Sequence, residues 1–111
     1  MKTATILLGL GLLLVGCEKN DELPDAIQAK IAELKRQPKQ NPPATIYSYR
    51  YQGQVVYTIS GDCCDQFNYL YDKDLHIICA PSGGISGRGD GRCPDFAANA
   101  TQERLVWRDS R

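Results

Sequence analysis

The sequence has no excess of either charge: 13 Lys and Arg stand against 13 Asp and Glu, for a formal net charge of zero. Without a basic block, it lacks the electrostatic footprint that nucleic-acid binding requires. It has no C-x-x-C pair, so the spacing typical of a zinc site is missing. It has one histidine, His76. It has no internal repeat, and after the first sixteen residues no further long apolar run. At 111 residues it holds at most one ordinary domain. A TIM barrel or a full dinucleotide-binding domain does not fit that length.

What is present begins with an address. One positive charge at Lys2 precedes Ile6–Val15, ten residues of Ile, Leu, Val and Gly only. A spanning helix needs about 20 apolar residues, so this run matches the apolar region of a secretory signal. A buried apolar helix is the other reading, and the position at the extreme N-terminus weighs against it. Leu14-Val15-Gly16-Cys17 resembles the bacterial lipobox, in which the cysteine is diacylated and becomes the first mature residue. That resemblance implies lipidation at Cys17 and anchoring to a membrane through N-terminal acyl chains. Glu18, rather than Asp, follows the cysteine, which by resemblance to Gram-negative sorting favours the outer membrane. The organisation expected is a lipoprotein signal peptide at 1–16, a tether at 17–23 and a single small domain at 24–111.

Within that domain, Pro24 suits the first position of a helix, and Asp21, Glu22 and Asp25 favour its positive end. Ile27, Ile31 and Leu34 form one apolar stripe, and Lys35, Arg36 and Pro38 mark the stop. Ala44–Tyr51 and Gln54–Ser60 alternate as strands about Gln52-Gly53. A two-residue loop there pairs Tyr49 with Val56 and Ile46 with Ile59. Ile46, Val55, Tyr57 and Ile59 then share the face that receives the helix. Tyr47, Tyr49, Tyr51 and Val56 share the other, as sheet packing or as a ligand platform. Phe67–Tyr71 and Leu75–Ala80 read as a second hairpin about Asp72-Lys73-Asp74. A loop from Pro81 through Gly91 follows, then a short strand at Leu105–Trp107. The expected fold is α+β: one N-terminal helix on an antiparallel sheet of four to five strands, with a disulfide-pinned glycine-rich loop.

Apart from Cys17, the cysteines are Cys63, Cys64, Cys79 and Cys93. Four in a small exported chain argue for two disulfides over a metal site. A bond between the adjacent Cys63 and Cys64 is strained, because their Cα atoms lie about 3.8 Å apart and disulfides favour about 4.4 Å or more. The expectation is that Cys63 and Cys64 bond to Cys79 and Cys93, in either order.

Asp62-Cys63-Cys64-Asp65-Gln66-Phe67, Leu70-Tyr71-Asp72, Ile78-Cys79-Ala80-Pro81, Gly83-Gly84-Ile85 and Gly87–Phe96 together form a specific pattern. It resembles a family of small bacterial lipoproteins sharing a domain of unknown function, over about residues 25–111. Asn41-Pro42-Pro43 and Leu105–Asp109 fit the same family. Leu75 departs from it, standing where a glycine would suit the turn after Asp74. The resemblance implies no activity and no functional residue.

Other motifs fall short of chemistry. A Cys–His or Ser–His pair built on His76, which the period places on a strand beside Cys79, needs a free nucleophile. Arg88 stands where a nucleophile elbow at Ser86 requires glycine. After Asp72-Lys73-Asp74, an EF-hand loop demands Asp or Asn at 76 and Gly at 77, where His76 and Ile77 stand. Asp62, Asp65, Asp90 and Asp95 flank cysteines and read as turn caps before they read as cation ligands. The glycine-rich loop opens no helix, so it lacks the anion-binding terminus of phosphate loops. Arg88-Gly89-Asp90 and Asn99-Ala100-Thr101 match short adhesion and glycosylation motifs too common to carry weight. The reading is therefore an extracytoplasmic binding or interaction module with no catalytic residue, metal or cofactor. Its contact surface is the Pro81–Asp95 loop, with Gly84, Arg88, Asp90 and Arg92 as binding residues. Its partners are the membrane, through lipid, and an envelope or extracellular protein. The alternative is a small inhibitor of an envelope or extracellular hydrolase.

Overall fold

The computed structural model describes residues 22–60 and 66–111. The expected signal peptide at 1–16, Cys17, most of the expected tether at 17–23, Asp62, Cys63, Cys64 and Asp65 lie outside them. Helix α1 spans Asp25–Arg36. Strands β1 (Thr45–Tyr51), β2 (Gln54–Ile59), β3 (Phe67–Tyr71) and β4 (Ile77–Gly83) follow. A one-turn helix α2 (Phe96–Asn99) then precedes strand β5 (Thr101–Arg108). The five strands form one sheet in the order β4-β3-β2-β1-β5, with every neighbouring pair antiparallel. The expected α+β architecture is what the chain adopts.

The first hairpin has the expected register, pairing Tyr49 with Val56 and Ile46 with Ile59. Its loop places Gln52 at φ 52° and Gly53 at φ 79°. Two positive φ angles match the right-handed twist of the strands, and Asn-Gly is the favoured pair there. Gln52→Asn should therefore raise stability by about 0.5 kcal/mol, measured by denaturant titration.

Strand alternation gives the sheet two apolar faces. Ile46 and Tyr57 pack with Ile27, Leu34 and Ala44 beneath α1, joined at the margin by Ile31, Ile59, Val106 and Trp107. The helical stripe meets the aliphatic face as the sequence implies. Tyr51, Val56, Leu70, Cys79 and Cys93 form a second core on the opposite face, with Tyr49, Phe96 and Ala100 packed on it. The topology explains this second layer. β4 and β5 occupy opposite edges, so the chain between them has to cross the sheet, and it crosses on the tyrosine face.

Four boundaries differ from expectation. β4 continues through Pro81 to Gly83; an edge strand tolerates proline because no neighbour needs its missing N–H. β5 begins at Thr101 rather than Leu105. α2 has no counterpart in the apolar pattern. His76 lies in the exposed turn before β4, not on the strand.

The cysteine pairing is corrected as well. Cys79 bonds to Cys93, with an S–S distance of 2.07 Å and Cα atoms 6.1 Å apart. The expected pairing assigned both to Cys63 and Cys64. Local folding decides instead: Asp90 N–H donates to the Ala80 carbonyl at 2.9 Å, which draws the returning chain against β4 and sets Cys93 beside Cys79.

The end of α1 is held from the far end of the domain. Arg111 donates from Nη1 to the Lys35 carbonyl at 3.1 Å and from Nη2 to the Leu34 carbonyl at 3.2 Å. Both are carbonyls of the last helical turn; that of Leu34 also accepts the N–H of the C-cap Gln37 at 3.3 Å. The same guanidinium forks onto Asp109, with Nη2 2.6 Å from Oδ2 and Nε 2.9 Å from Oδ1. Arg111 holds the Asp109 carboxyl down at about 2, against an ordinary value of 3.8. A depressed carboxyl stabilises the fold above its ordinary value, and that stabilisation is lost as pH falls through about 2. Asp109→Asn should flatten this acid limb, read as thermal midpoints across the same pH range.

Candidate functional site

The glycine-rich loop is a folded object. Its backbone turns through positive φ at Gly83, Gly84, Gly87, Gly89 and Gly91. Gly87 N–H donates to the Gly84 carbonyl at 3.1 Å, and Gly89 N–H to the Gly83 carbonyl at 3.0 Å. Arg88 forms a parallel bridge with Gly83, so the loop lies along the outer edge of β4. That edge is thereby partly covered, which blunts it against strand addition. At two positions the close approach excludes any side chain. A Cβ on Gly89 would collide with the Ala80 carbonyl oxygen and sit 2.7 Å from the Pro81 carbonyl carbon. A Cβ on Gly83 would collide with the Gln66 carbonyl oxygen. The disulfide ties the two feet of this loop, fourteen positions apart.

The sequence-predicted residues are distributed along this loop with different roles. Gly84 donates its N–H to the Gln66 carbonyl at 2.9 Å and lies against the Phe67 ring. Asp90 accepts the Arg92 N–H on Oδ1 at 3.0 Å, closing a local turn. That hydrogen bond is the first cause of its lowered pKa. Arg92 Nη1 stands 4.0 Å from the same carboxylate, a loose exposed pair. Arg88 is exposed, and its N–H donates to Ser86 Oγ at 3.1 Å. Gly84 and Asp90 thus shape the loop, while the Arg88 and Arg92 side chains face solvent. Sequence reasoning missed the apex: Ile85 is 93% exposed. An aliphatic residue between glycines was the available signal.

Beneath the loop, a shallow hollow is lined by Phe67, Gly84, Ile85, Ser86 and Gly89. A deeper cleft of about 360 Å³ opens where the feet of the loop meet the tyrosine face. Tyr49, Thr58 and Ser60 contribute to one side, and Pro81, Pro94 and Phe96 to the other. Among the described residues, no carboxylate or cation lines it. The tyrosine row itself is largely consumed by packing. Phe96 meets Tyr49 and Tyr51 edge-on, with centroids 5.1 and 5.2 Å away. Tyr51 Oη donates to Asp95 Oδ1 at 2.7 Å, which lowers the Asp95 carboxyl and raises the phenol. Tyr49 Oη donates to Glu103 at 2.9 Å; burial first, then this carboxylate, push its pKa up to about 12.

Asp72, Asp74 and His76 bring one ligand atom each within 4.8 Å of one another. Asp72 Oδ1 is already engaged by the N–H groups of Asp74 and His76, both at 2.9 Å, and His76 Nδ1 lies 3.3 Å from Oδ2. These bonds close the turn. Asp90 caps a local turn through the Arg92 N–H, whereas Asp95 does not cap its turn: it accepts from the side chains of Tyr51, distant in sequence, and Asn99.

Residues 32–109 match a family defined as a domain of unknown function, DUF6970. The chain belongs to the DUF6970 family. The match begins inside α1 and ends one residue past β5, so it includes the whole sheet, the tyrosine-face core and the loop, while Ile27 of the helix-side core precedes it. No curated protein and no solved structure matches this DUF6970 chain.

Proposed function

We propose that the protein is a lipid-anchored, extracytoplasmic binding module that docks an envelope or extracellular protein through the tip of its glycine-rich loop. One observation carries this reading: Ile85, at 93% exposure, caps a loop whose shape is fixed by a disulfide and by backbone contacts only glycine permits. Exposing a branched aliphatic side chain on a rigid support gains the fold nothing. It does give a partner a preorganised anchor with little ordering entropy left to lose. Phe67, 38% exposed, adds apolar surface to the same hollow, and Arg88 and Arg92 supply charge around it. An apolar centre with a charged rim is the usual anatomy of a contact patch.

The anchoring half of the proposal rests on Leu14-Val15-Gly16-Cys17. Cys17→Ser should abolish palmitate labelling and release the protein from the outer-membrane fraction after carbonate washing. Persistence of both would remove the lipobox reading. For docking, a photo-crosslinking residue at position 85 should capture one envelope protein, whereas the same group at position 52 should capture none. Ile85→Asp should abolish co-purification of that protein with the fold intact. A captured hydrolase that loses activity in the complex would convert the module into an inhibitor.

A further inference from the structure

We propose that the groove between α1 and the aromatic row of β3 binds a neutral saccharide. This site lies on the helix face of the sheet, away from the tyrosine face, and shares Phe67 with the hollow beneath the loop. The helix covers Ile46, Tyr57 and the margin at Val106 and Trp107, but leaves the β3 side of that face open. There Phe67, Tyr69 and Tyr71 follow one another with centroids 5.8 and 6.3 Å apart. Ile77, paired with Tyr71 across the strands, is 52% exposed. Between this row and the helix lies a groove of about 300 Å³.

The lining selects the ligand. Three amide side chains, Gln37, Gln40 and Gln66, face the same groove as the Tyr69 and Tyr71 rings. Among the described lining residues, Lys30 is the only ionisable side chain besides the tyrosines, and its Nζ is 3.4 Å from Glu33 Oε1. Among the described residues, no carboxylate lines the groove. Gln37 spends its Nε2 on Glu33 Oε2 at 3.4 Å and keeps its carbonyl oxygen as an acceptor, and an amide can serve a hydroxyl group as donor and as acceptor. Gln40 also keeps its Oε1 shielded from water, with no hydrogen-bond donor among the described residues. A sugar hydroxyl entering the groove can supply one, which removes a standing desolvation cost. The C–H face of a pyranose complements the electron-rich face of an aromatic ring. Adjacent rings are inclined at 60° and 61°, so no flat platform exists. The row fits a short or terminal saccharide, gripped by one ring and the edges of its neighbours, rather than a flat polymer surface.

The test is calorimetric titration of the purified chain with neutral tetrasaccharides of glucose, mannose, xylose and N-acetylglucosamine. At least one should bind at millimolar concentration or tighter, with affinity unchanged by added salt. Tyr69→Ala should weaken it about tenfold. Gln40→Ala should weaken it without lowering the thermal midpoint, and Tyr47→Ala on the opposite face should leave it unchanged. Should Tyr69→Ala fail to fold, Gln40→Ala carries the test alone. No binding by any of the four sugars, binding that survives the groove substitutions, or affinity that falls with salt would each overturn the proposal.

Discussion

Gly89→Ala is expected to destabilise the domain by about 3 kcal/mol or more and to unfold the loop first. A methyl at this position must occupy the space of the Ala80 carbonyl oxygen, and that carbonyl is backbone of β4 and cannot swing aside. Relief requires the loop to lift, which breaks the bonds from Asp90 N–H to Ala80 and from Gly89 N–H to Gly83. Each lost bond costs about 1 kcal/mol, and the left-handed φ of 78° adds about 1–2 kcal/mol for any residue with a Cβ. Gly87→Ala is the matched control. Its φ is 76°, but nothing lies within 4 Å of the added carbon. It should cost only the conformational part, about 1 kcal/mol. Denaturant midpoints of the two variants separate crowding from backbone strain. Equal losses would show that the loop does not pack on β4.

Cys79→Ser combined with Cys93→Ser should lower stability by about 3 kcal/mol, the chain-entropy value for a closed loop of this size. It should also expose the loop to protease. Arg88 and Arg92 are trypsin sites inside the tied segment, and cleavage needs a locally extended chain. In the oxidised protein both should resist limited digestion. In the double variant, or after mild reduction, both should be cut before Lys30 or Lys35 in α1. Peptide mapping without reductant should recover the segments around Cys79 and Cys93 as one linked species. Fast cleavage at Arg88 in the oxidised protein would end the preorganised-anchor account.

Much of this architecture was legible because its signals are local and periodic. The stripe of Ile27, Ile31 and Leu34 needed only helical spacing, and the two-residue loop at Gln52-Gly53 set an entire hairpin register. Leu75 shows a local rule being overridden. The turn wants glycine, and Leu75 does sit at φ 65°, yet its side chain packs against the helix-side core. Burial of that side chain offsets the backbone strain. What escaped detection depends on neighbours distant in sequence. Thr101–Arg104 is exposed throughout and shows no alternation; it is a strand because β1 offers it a ladder. The disulfide depended on where the loop returns, and elimination among four cysteines could not supply that. Of the candidate site, the glycines and arginines were visible, but the exposed apex at Ile85 was not. Composition treats an isoleucine as core until a fold says otherwise.

The strand order has a kinetic consequence. β5, the last strand in the chain, pairs with β1, the first, across a sequence separation of about half the molecule. The two hairpins need only short loops and can close early, whereas β1 keeps an open edge until Thr101–Arg108 arrives. Closing that long circuit also delivers Arg111 to the end of α1. Docking of the C-terminal strand is therefore the expected late step. Substitutions at the Gln52-Gly53 turn should act mainly on the folding rate, and those in β5 mainly on the unfolding rate. A nascent domain therefore holds a sheet with one uncovered edge until its C-terminal strand is available to pair.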